Sequence, residues 1–169
     1  MSVIASPVTA EALRAWLSYD PATGEFRWLR KPSQGVREGD IAGTIRGNGY
    51  RYVTIRGRAY LAHRLAWLWV HGEWPPARLD HRDLCTDNNR IGNLRPATQS
   101  QNIANTGARA NSSSGVKGVR WDRFRGKWCA SICVQGKTIH LGRHVTIEDA
   151  AAAYAKAAAA HFGDFARVA

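Results

Sequence analysis

Cysteine is scarce in this chain, and its spacing matches no common framework. The 169 residues include three cysteines, an odd number, and no two of them form a Cys-x-x-Cys pair. This argues against a disulfide scaffold and equally against a structural zinc cluster. We therefore expect unpaired thiols and a reducing compartment. The three residues are Cys85, Cys129 and Cys133.

Long apolar runs are missing as well. No stretch has the length that a membrane-spanning helix needs, and the first residues lack the pattern of a signal peptide. A basic amphipathic helix that would favour an acidic membrane surface is also absent from the pattern. The expectation is a cytoplasmic protein that does not bind membranes.

Acidic residues are few relative to basic ones. Lysine and arginine number 24 against 13 aspartates and glutamates, which gives a formal charge of +11 and a pI near 10.3. Basic side chains release counterions from phosphate backbones, so a chain this basic is expected to bind nucleic acid. Its length allows one ordinary domain or two or three small ones.

A dense run of polar residues lies at 79–102 and predicts a strand, a loop, a short strand and a helix. The loop is rich in turn-forming residues, and Thr98 with Gln101 three positions later predicts a capping box at the start of the helix. Residues distant in sequence would then converge on one point. They are Asp80 and His81 on the first strand and Asn102 on the helix.

These residue types suit phosphodiester hydrolysis, which needs a nucleophile made from water and a cation for the developing negative charge. A neutral imidazole such as His81 can take a proton from water near pH 7. The carboxylate of Asp80 and the amide oxygen of Asn102 are hard ligands that suit Mg²⁺. The amide of Asn93, just before the second strand, would bridge backbone groups across the loop and hold His81 in position.

The segment resembles the HNH, or ββα-metal, nuclease motif in the His-Asn-Asn form found in phage and intron-encoded homing endonucleases. Two phrases carry the likeness, Ala-His-Arg-Leu-Ala-Trp at 62–67 and Asn-Asn-Arg-Ile-Gly-Asn-Leu at 88–94. The resemblance implies that His81 is the general base and that Asn93 is the structural asparagine. It assigns the metal to Asp80 and Asn102.

Asn102 stands where the name-giving pattern of the motif has its last histidine. The resemblance therefore implies a weak, oxygen-rich Mg²⁺ or Mn²⁺ site rather than a tight zinc site. The competing interpretation is that Asp80 and His81 form a turn and that the asparagines are ordinary loop formers.

Upstream of this motif, residues 1–61 predict a helix followed by a small antiparallel sheet. A second helix at 63–71 opens with His63, for which a structural role is favoured over a phosphate contact. The first helix is expected at 8–19, and the strands at 25–30, 41–45, 50–55 and 59–62. The sheet carries four arginines that would either contact phosphates or form a solvated face, namely Arg46, Arg51, Arg56 and Arg58.

Downstream, residues 106–115 are small and polar and predict a flexible linker. The following unit, 116–169, predicts three strands and an alanine-rich helix at 147–162, capped by Thr146 and ended by Gly163. The strands are expected at 116–121, 127–134 and 138–141.

This last unit resembles the Apetala/ethylene-response-factor DNA-binding domain, which also occurs fused to HNH nucleases. The likeness rests on Gly-Val-Arg at 118–120, Gly-Lys-Trp-x-Ala at 126–130, Leu-Gly at 141–142 and Glu-Asp-Ala-Ala-x-Ala-Tyr at 148–154. It implies that the exposed sheet face lies in the DNA major groove; a solvated basic face is the competing interpretation. The implied DNA contacts are Arg120, Arg123, Arg125 and Lys127, with Tyr154 near a phosphate.

The unit departs from the plant members of that family at three positions. Ser131, Cys133 and His140 stand where those members usually place Glu, Arg and Trp. Strong base-reading side chains are therefore missing, and the plant target sequence does not transfer to this chain.

Together these patterns predict an α+β protein with a small N-terminal antiparallel sheet, a ββα-metal nuclease core, and a C-terminal three-stranded antiparallel sheet with one packed helix. The predicted function is a divalent-metal-dependent DNA endonuclease of the homing type that nicks double-stranded DNA. The alternative is a non-catalytic, sequence-specific DNA-binding protein. We expect a monomer without a protein partner, located in the host cytosol if it is phage-encoded. The predicted domains are 1–61, 62–105 with the nuclease, 106–115 with the linker, and 116–169.

Overall fold

A computed structural model describes residues 7–108 and 112–167 of the chain. By contacts between Cα atoms the chain forms two compact units, Met1–Pro96 and Ala97–Ala169. Within the described residues the architecture is mixed, with four α-helices and several small antiparallel sheets. Part of the predicted linker at 106–115, residues 109–111, lies outside the described residues.

The first unit opens with a helix and a two-stranded sheet. Helix α1, Ala10–Trp16, starts at Thr9, whose hydroxyl accepts a hydrogen bond from the Ala12 amide. Strand β1, Leu17–Tyr19, pairs antiparallel with β2, Phe26–Trp28. The prediction of one helix over 8–19 is therefore wrong at its end. In β1 the first and last side chains are buried, as expected for alternate residues of a strand. They pack with the buried side chains of β2.

A three-stranded antiparallel sheet follows in the order β3, β4, β5, with a helix after it. The predicted strand at 41–45 is shorter than expected, because Ile41 forms only an isolated bridge with Arg27. Helix α2 ends at Gly72, whose φ of 80° is the left-handed conformation that favours glycine. Its buried leucines pack with the residues of α1, β1 and β2 into one core. The bounds are Thr44–Ile45 for β3, Arg51–Ile55 for β4, Arg58–Leu61 for β5 and Ala62–His71 for α2.

The predicted strand, loop and short strand of the central motif are confirmed. Strand β6, Arg78–His81, and strand β7, Leu94–Ala97, form a two-stranded sheet. A 3-10 turn at Ile91–Asn93 leads into β7. Asp80 and His81 lie on β6, as the sequence predicts.

The second unit begins with the predicted helix of the motif. Helix α3, Gln99–Asn105, has the predicted capping box: the Gln101 amide donates to the Thr98 hydroxyl at 3.2 Å, and the Thr98 amide donates to the Gln101 side-chain oxygen at 2.8 Å. Asn102 is the fourth residue of this helix.

A three-stranded antiparallel meander and a long helix complete the second unit. Strand β8, Val119–Asp122, strand β9, Lys127–Val134, and strand β10, Lys137–His144, lie in the order β10, β9, β8. Helix α4, Ile147–Phe162, begins after the Thr146 cap and ends at Gly163, as predicted. Strand β8 starts three residues later than predicted because Gly118, with a φ of 72°, makes a turn before it.

Alternating residues of β9 face α4. Ala130 and Ile132 are buried with Ala150, Tyr154 and Ala158 of the helix. Cys129 on the other face is also buried, and its Sγ lies 3.5 Å from Nδ1 of His140. Within the described residues no helix has the length and hydrophobicity to cross a membrane.

Candidate active site and nucleic-acid interface

The end of β6 carries two of the predicted site residues, Asp80 as a metal ligand and His81 as the general base. Asp80 and His81 are both buried, with 3% and 4% of their surface exposed. Arg95 of β7 donates through Nε to Oδ2 of Asp80 at 2.9 Å, which joins the two strands by a buried ion pair. Removing one partner of such a pair typically costs about 3–5 kcal/mol. The sequence interpretation missed Arg95; the available signal was a charged residue inside a short apolar strand.

His81 has an environment that favours its neutral form. Desolvation by burial lowers the pKa of His81, while a side-chain hydrogen bond with Asn89 and the charges of Asp83, Asp80 and Asp87 oppose the shift. The net direction is downward, so the imidazole is neutral near pH 7. A neutral imidazole is the form that accepts a proton from water.

Two aromatic side chains from earlier segments of the chain lie close to His81. The rings of His63 and His81 lie 5.1 Å apart at 84°, and Tyr50 lies 5.3 Å from His63 and 5.9 Å from His81. His63 is 6% exposed, and its Nδ1 has no hydrogen-bond partner among the described residues. Burial, followed by the charges of His81 and Arg64, lowers the pKa of His63 to about 3. A neutral ring therefore packs against His81, a contact that the sequence interpretation missed because no spacing signals it.

Asn93 bridges the loop between β6 and β7, as the sequence predicts. Its side-chain Nδ2 donates to Oδ1 of Asp83 at 2.9 Å and to the carbonyl of Asn88 at 2.8 Å. Its side-chain oxygen accepts from the Asp83 amide at 3.2 Å, and its carbonyl accepts from the Arg82 amide at 2.9 Å. One asparagine thus ties both ends of the loop that follows His81. Its catalytic role stays a prediction.

The same loop is fastened to the N-terminal sheet. Arg51 on β4 binds Asp87 through two parallel hydrogen bonds of 2.9 and 3.0 Å and also donates to the Gly43 carbonyl at 3.2 Å. The Thr86 hydroxyl donates to the carbonyl of Gly49 at 2.8 Å. The guanidinium of Arg51 is therefore engaged within the protein, which opposes its predicted contact with DNA.

The other three N-terminal arginines that were predicted to contact DNA are exposed. Arg46 lies 4.1 Å above the ring of Tyr52, and Arg58 lies 5.4 Å from the ring of Tyr60. Arg56 lies in the turn between β4 and β5 with a φ of 49°. Their exposure is compatible with phosphate contacts, which stay predictions.

In the second unit, the four basic residues predicted to contact DNA lie exposed on or near the hairpin of β8 and β9. Asp122 at the end of β8 is paired with Arg125 at 3.6 Å and with Arg143 at 3.2 Å. Phe124 at the tip of the hairpin is 99% exposed. The exposed basic residues are Arg120, Arg123, Arg125 and Lys127.

Tyr154 was predicted to lie near a phosphate, but the structure places it in the hydrophobic core. It is 3% exposed and lies under Gly118, and burial raises the pKa of its hydroxyl. A Cβ atom at Gly118 would come within 2.3 Å of the Tyr154 ring, so glycine is required for this contact. Burial therefore opposes a phosphate contact and gives Tyr154 a packing role.

The predicted metal ligands lie in different compact units, Asp80 in the first and Asn102 in the second. Among residues 7–108 and 112–167, no group of three or more His, Cys, Asp or Glu side chains could hold a metal ion. Mg²⁺, however, takes only one or two carboxylates from a protein and fills its octahedron with water and phosphate oxygens. A carboxylate and an amide oxygen are hard donors, so the chemistry of this pair fits Mg²⁺ or Mn²⁺.

Comparison with known proteins bears on the same segment. No curated protein and no solved structure matches the chain. Residues 60–104 match the family model described as HNH endonuclease. These residues include α2, the β6–loop–β7 segment and most of α3, with both predicted ligands, His81 and Asn93. The match supports an HNH nuclease domain in this part of the chain, for which DNA is the implied substrate.

Proposed function

We propose that the protein is a divalent-metal-dependent DNA endonuclease of the homing type that hydrolyses phosphodiester bonds one strand at a time. The observation that carries the proposal is the match of residues 60–104 to HNH endonucleases. The geometry supports it, because the family's base position is occupied by a buried His81 whose lowered pKa favours the neutral form.

His81 acts as the general base in this proposal. Its neutral ring accepts a proton from the attacking water, and the carboxylates of Asp80 and Asp83 nearby stabilise the imidazolium that results. Asn93 holds the loop after His81 through hydrogen bonds to Arg82, Asp83 and Asn88. Packing against His63 and Tyr50 restricts the rotation of the His81 ring.

Asp80 and Asn102 would hold Mg²⁺ or Mn²⁺. When bound, such an ion supplies positive charge that stabilises the phosphorane-like transition state and the leaving oxygen. Arg95 binds the Asp80 carboxylate and limits its rotation. One centre of this kind treats one strand at a time, so a monomer is expected to nick.

The exposed basic residues of β8 and β9 would contact the DNA backbone. Arg120 and Lys127 lie on these strands, and Arg123 lies in the turn between them. Exposed cations on one hairpin are suited to phosphate contacts, which position a protein on DNA without reading its sequence. The resemblance to the Apetala/ethylene-response-factor domain supports the same surface.

Cleavage of a supercoiled plasmid that carries the DNA flanking the gene tests the proposal. With Mg²⁺ the wild-type protein should convert the plasmid to open circles. His81→Ala should lower the rate by about 10²- to 10⁴-fold, the usual contribution of a general base, and leave DNA affinity within a few-fold. The matched control is His161→Ala, an exposed histidine at the end of α4. Cleavage by His81→Ala at the wild-type rate would show that His81 is not the base.

Metal dependence has a separate test in the same assay. EDTA should stop cleavage, and either Mg²⁺ or Mn²⁺ should restore it, because the predicted ligands are hard oxygen donors. Cleavage that continues undiminished in EDTA would rule out this mechanism. A wild-type protein that binds the DNA and leaves it intact with either ion would instead be the non-catalytic DNA-binding protein.

A further inference from the structure

The C-terminal end of α3 is held by a lysine from outside the helix. Lys117 Nζ donates to three backbone carbonyls, those of Ile103 at 2.8 Å, Ala104 at 2.7 Å and Thr106 at 2.7 Å. An ammonium group has three N–H donors, so this arrangement gives each of them one acceptor. The last carbonyls of a helix otherwise lack partners within it.

This contact matters because α3 is short. A helix of seven residues does not form by itself in water, so its stability has to come from tertiary contacts. A cation at the C-terminus also interacts favourably with the helix dipole. Lys117 is half-buried, and this burial, followed by the charge of Arg167, lowers the pKa of its ammonium.

Lys117 is itself fixed by the core of the C-terminal unit. The next residue, Gly118, packs against the ring of Tyr154 on α4, and its carbonyl accepts a hydrogen bond from the Ser131 amide on β9 at 2.9 Å. Lys117 therefore joins α3 to the sheet and helix that carry the basic hairpin. Residues 97–169 accordingly form one compact unit that includes α3.

We propose that Lys117 is a positioning residue for the nuclease: it fixes the helix that carries Asn102 to the C-terminal DNA-binding unit. The C-terminal unit then has two tasks, contact with DNA and support of a metal ligand. This inference rests on the proposed function for the role of Asn102. The contact between Lys117 and α3 is independent of that function and can be measured without DNA or metal.

Amide hydrogen exchange of the full-length protein, measured by NMR in EDTA, tests the contact. Lys117→Met keeps an unbranched chain one atom shorter and removes the charge and the donors. The amides of α3 at 102–106 should exchange about fivefold faster, the change that follows from losing a helix cap of typical strength. Lys117→Arg, which keeps donors and charge, should fall between Met and wild type. The matched control is Lys156→Met on the exposed face of α4, which should leave this exchange unchanged.

Cleavage assays test the functional part. The Mg²⁺ concentration for half-maximal cleavage should rise about tenfold in Lys117→Met, the lower end of the usual effect of losing a group that orients a metal ligand. DNA affinity measured in EDTA by fluorescence anisotropy should stay within about twofold, because the three backbone carbonyls already engage the Lys117 ammonium. Lys127→Met should do the opposite, weakening DNA binding with the exchange of α3 unchanged.

The outcomes separate this inference from the proposed function. If the α3 amides of Lys117→Met exchange at the wild-type rate, Lys117 does not stabilise α3 and the inference is overturned. Faster exchange with an unchanged Mg²⁺ dependence would overturn the positioning role. Loss of the circular-dichroism signal of the whole protein, with the same loss in Lys117→Arg, would show a general folding role and overturn it too. A wild-type protein that does not cleave refutes the proposed function, while the exchange result still decides the contact.

Discussion

His63 illustrates at the scale of one residue how burial sets a protonation state. Its ring lies between Tyr50 and His81 with 6% of its surface exposed. An imidazolium here would lose its hydration and face a second histidine that can also take up a proton. The low pKa of His63 follows from these two effects. Because His63 stays neutral, His81 is the histidine of this pair that takes up the proton in the proposed reaction.

The low pKa of His63 predicts a loss of stability in acid. Its value of about 3 in the folded protein lies below the ordinary 6.5, so the unfolded chain takes up the proton first as the pH falls. The contribution of neutral His63 to the free energy of unfolding is complete above pH 6.5 and is lost progressively between pH 6.5 and 3. From pH 6.5 to 5 the wild type should lose about 2 kcal/mol of unfolding free energy through this residue.

His63→Phe should reduce that loss, because phenylalanine keeps the aromatic packing and takes up no proton. Urea unfolding followed by tryptophan fluorescence at pH 7 and pH 5 measures the difference, with the exposed His161→Gln as the control. An equal loss of stability in His63→Phe and in the wild type would contradict the prediction.

At the scale of elements, the motif loop depends on a strand that precedes it by some thirty residues. Arg51 of β4 binds Asp87 in the loop through two nitrogens, and Thr86 binds the Gly49 carbonyl beside it. Two parallel hydrogen bonds fix the orientation of both side chains, which one contact would not do. The N-terminal sheet therefore supports the loop that follows His81.

Arg51→Met should lower the unfolding free energy by about 1–2 kcal/mol, less than for a fully buried pair, because the two side chains are 21% and 31% exposed. Arg46→Met, in the exposed turn after β3, should lower it less, by about 0.5 kcal/mol, because it loses only a surface contact with the Tyr52 ring. Urea titration at pH 7 compares the two. An Arg51 variant as stable as the Arg46 variant would show that the ion pair does not fasten the loop.

The packing of α4 on its sheet makes a second prediction at this scale. Gly118→Ala would place a methyl group 2.3 Å from the Tyr154 ring and 2.5 Å from the Ser131 carbonyl oxygen, at a φ of +72°. It should cost about 2–4 kcal/mol from overpacking together with backbone strain. Gly136→Ala is the matched control, since Gly136 also has a positive φ of +80° but nothing within 4 Å of its added Cβ.

Thermal unfolding monitored by circular dichroism distinguishes the two glycine variants. The control should lose only the strain contribution, about 1 kcal/mol. Equal losses in both variants would mean that Tyr154 moves aside without cost and that the core of the second unit is not closely packed at this point.

At the scale of the whole molecule, the charge of +11 implies that DNA binding weakens as the salt concentration rises. The triple variant Arg120→Gln, Arg123→Gln, Lys127→Gln removes three exposed cations of the β8–β9 hairpin. The slope of log affinity against log salt should fall by about 0.9 per lost phosphate contact, or roughly 2.7 in total.

Fluorescence anisotropy with a DNA duplex between about 50 and 200 mM salt, where a few phosphate contacts produce a large change in affinity, gives that slope. Lys156→Gln on α4 controls for the loss of net charge away from the hairpin. A slope that the triple variant shares with the wild type would show that the hairpin does not contact DNA. The likeness to the plant DNA-binding domain would then concern the fold alone.

Local signals in the sequence determined much of this protein. The bounds of α4 and β9 and the capping box of α3 agree with the sequence prediction. Helix caps such as Thr146, Gly163 and the Thr98–Gln101 pair bind backbone groups only a few residues away in the sequence, so a local pattern is enough to predict them. The placement of Asp80 and His81 on a strand followed from the same kind of local pattern. The positive charge likewise follows from composition alone.

Only the tertiary structure decided the features that depend on partners far along the chain. β1 is a strand rather than the end of a helix because it pairs with β2, and Arg51 is engaged because Asp87 lies against it. Tyr154 is a core residue because Gly118 leaves room for its ring. Lys117 supports α3 because the fold returns it to carbonyls more than ten residues earlier in the chain. Such contacts exist only after the chain has closed these loops, so short-range pattern and composition do not contain them.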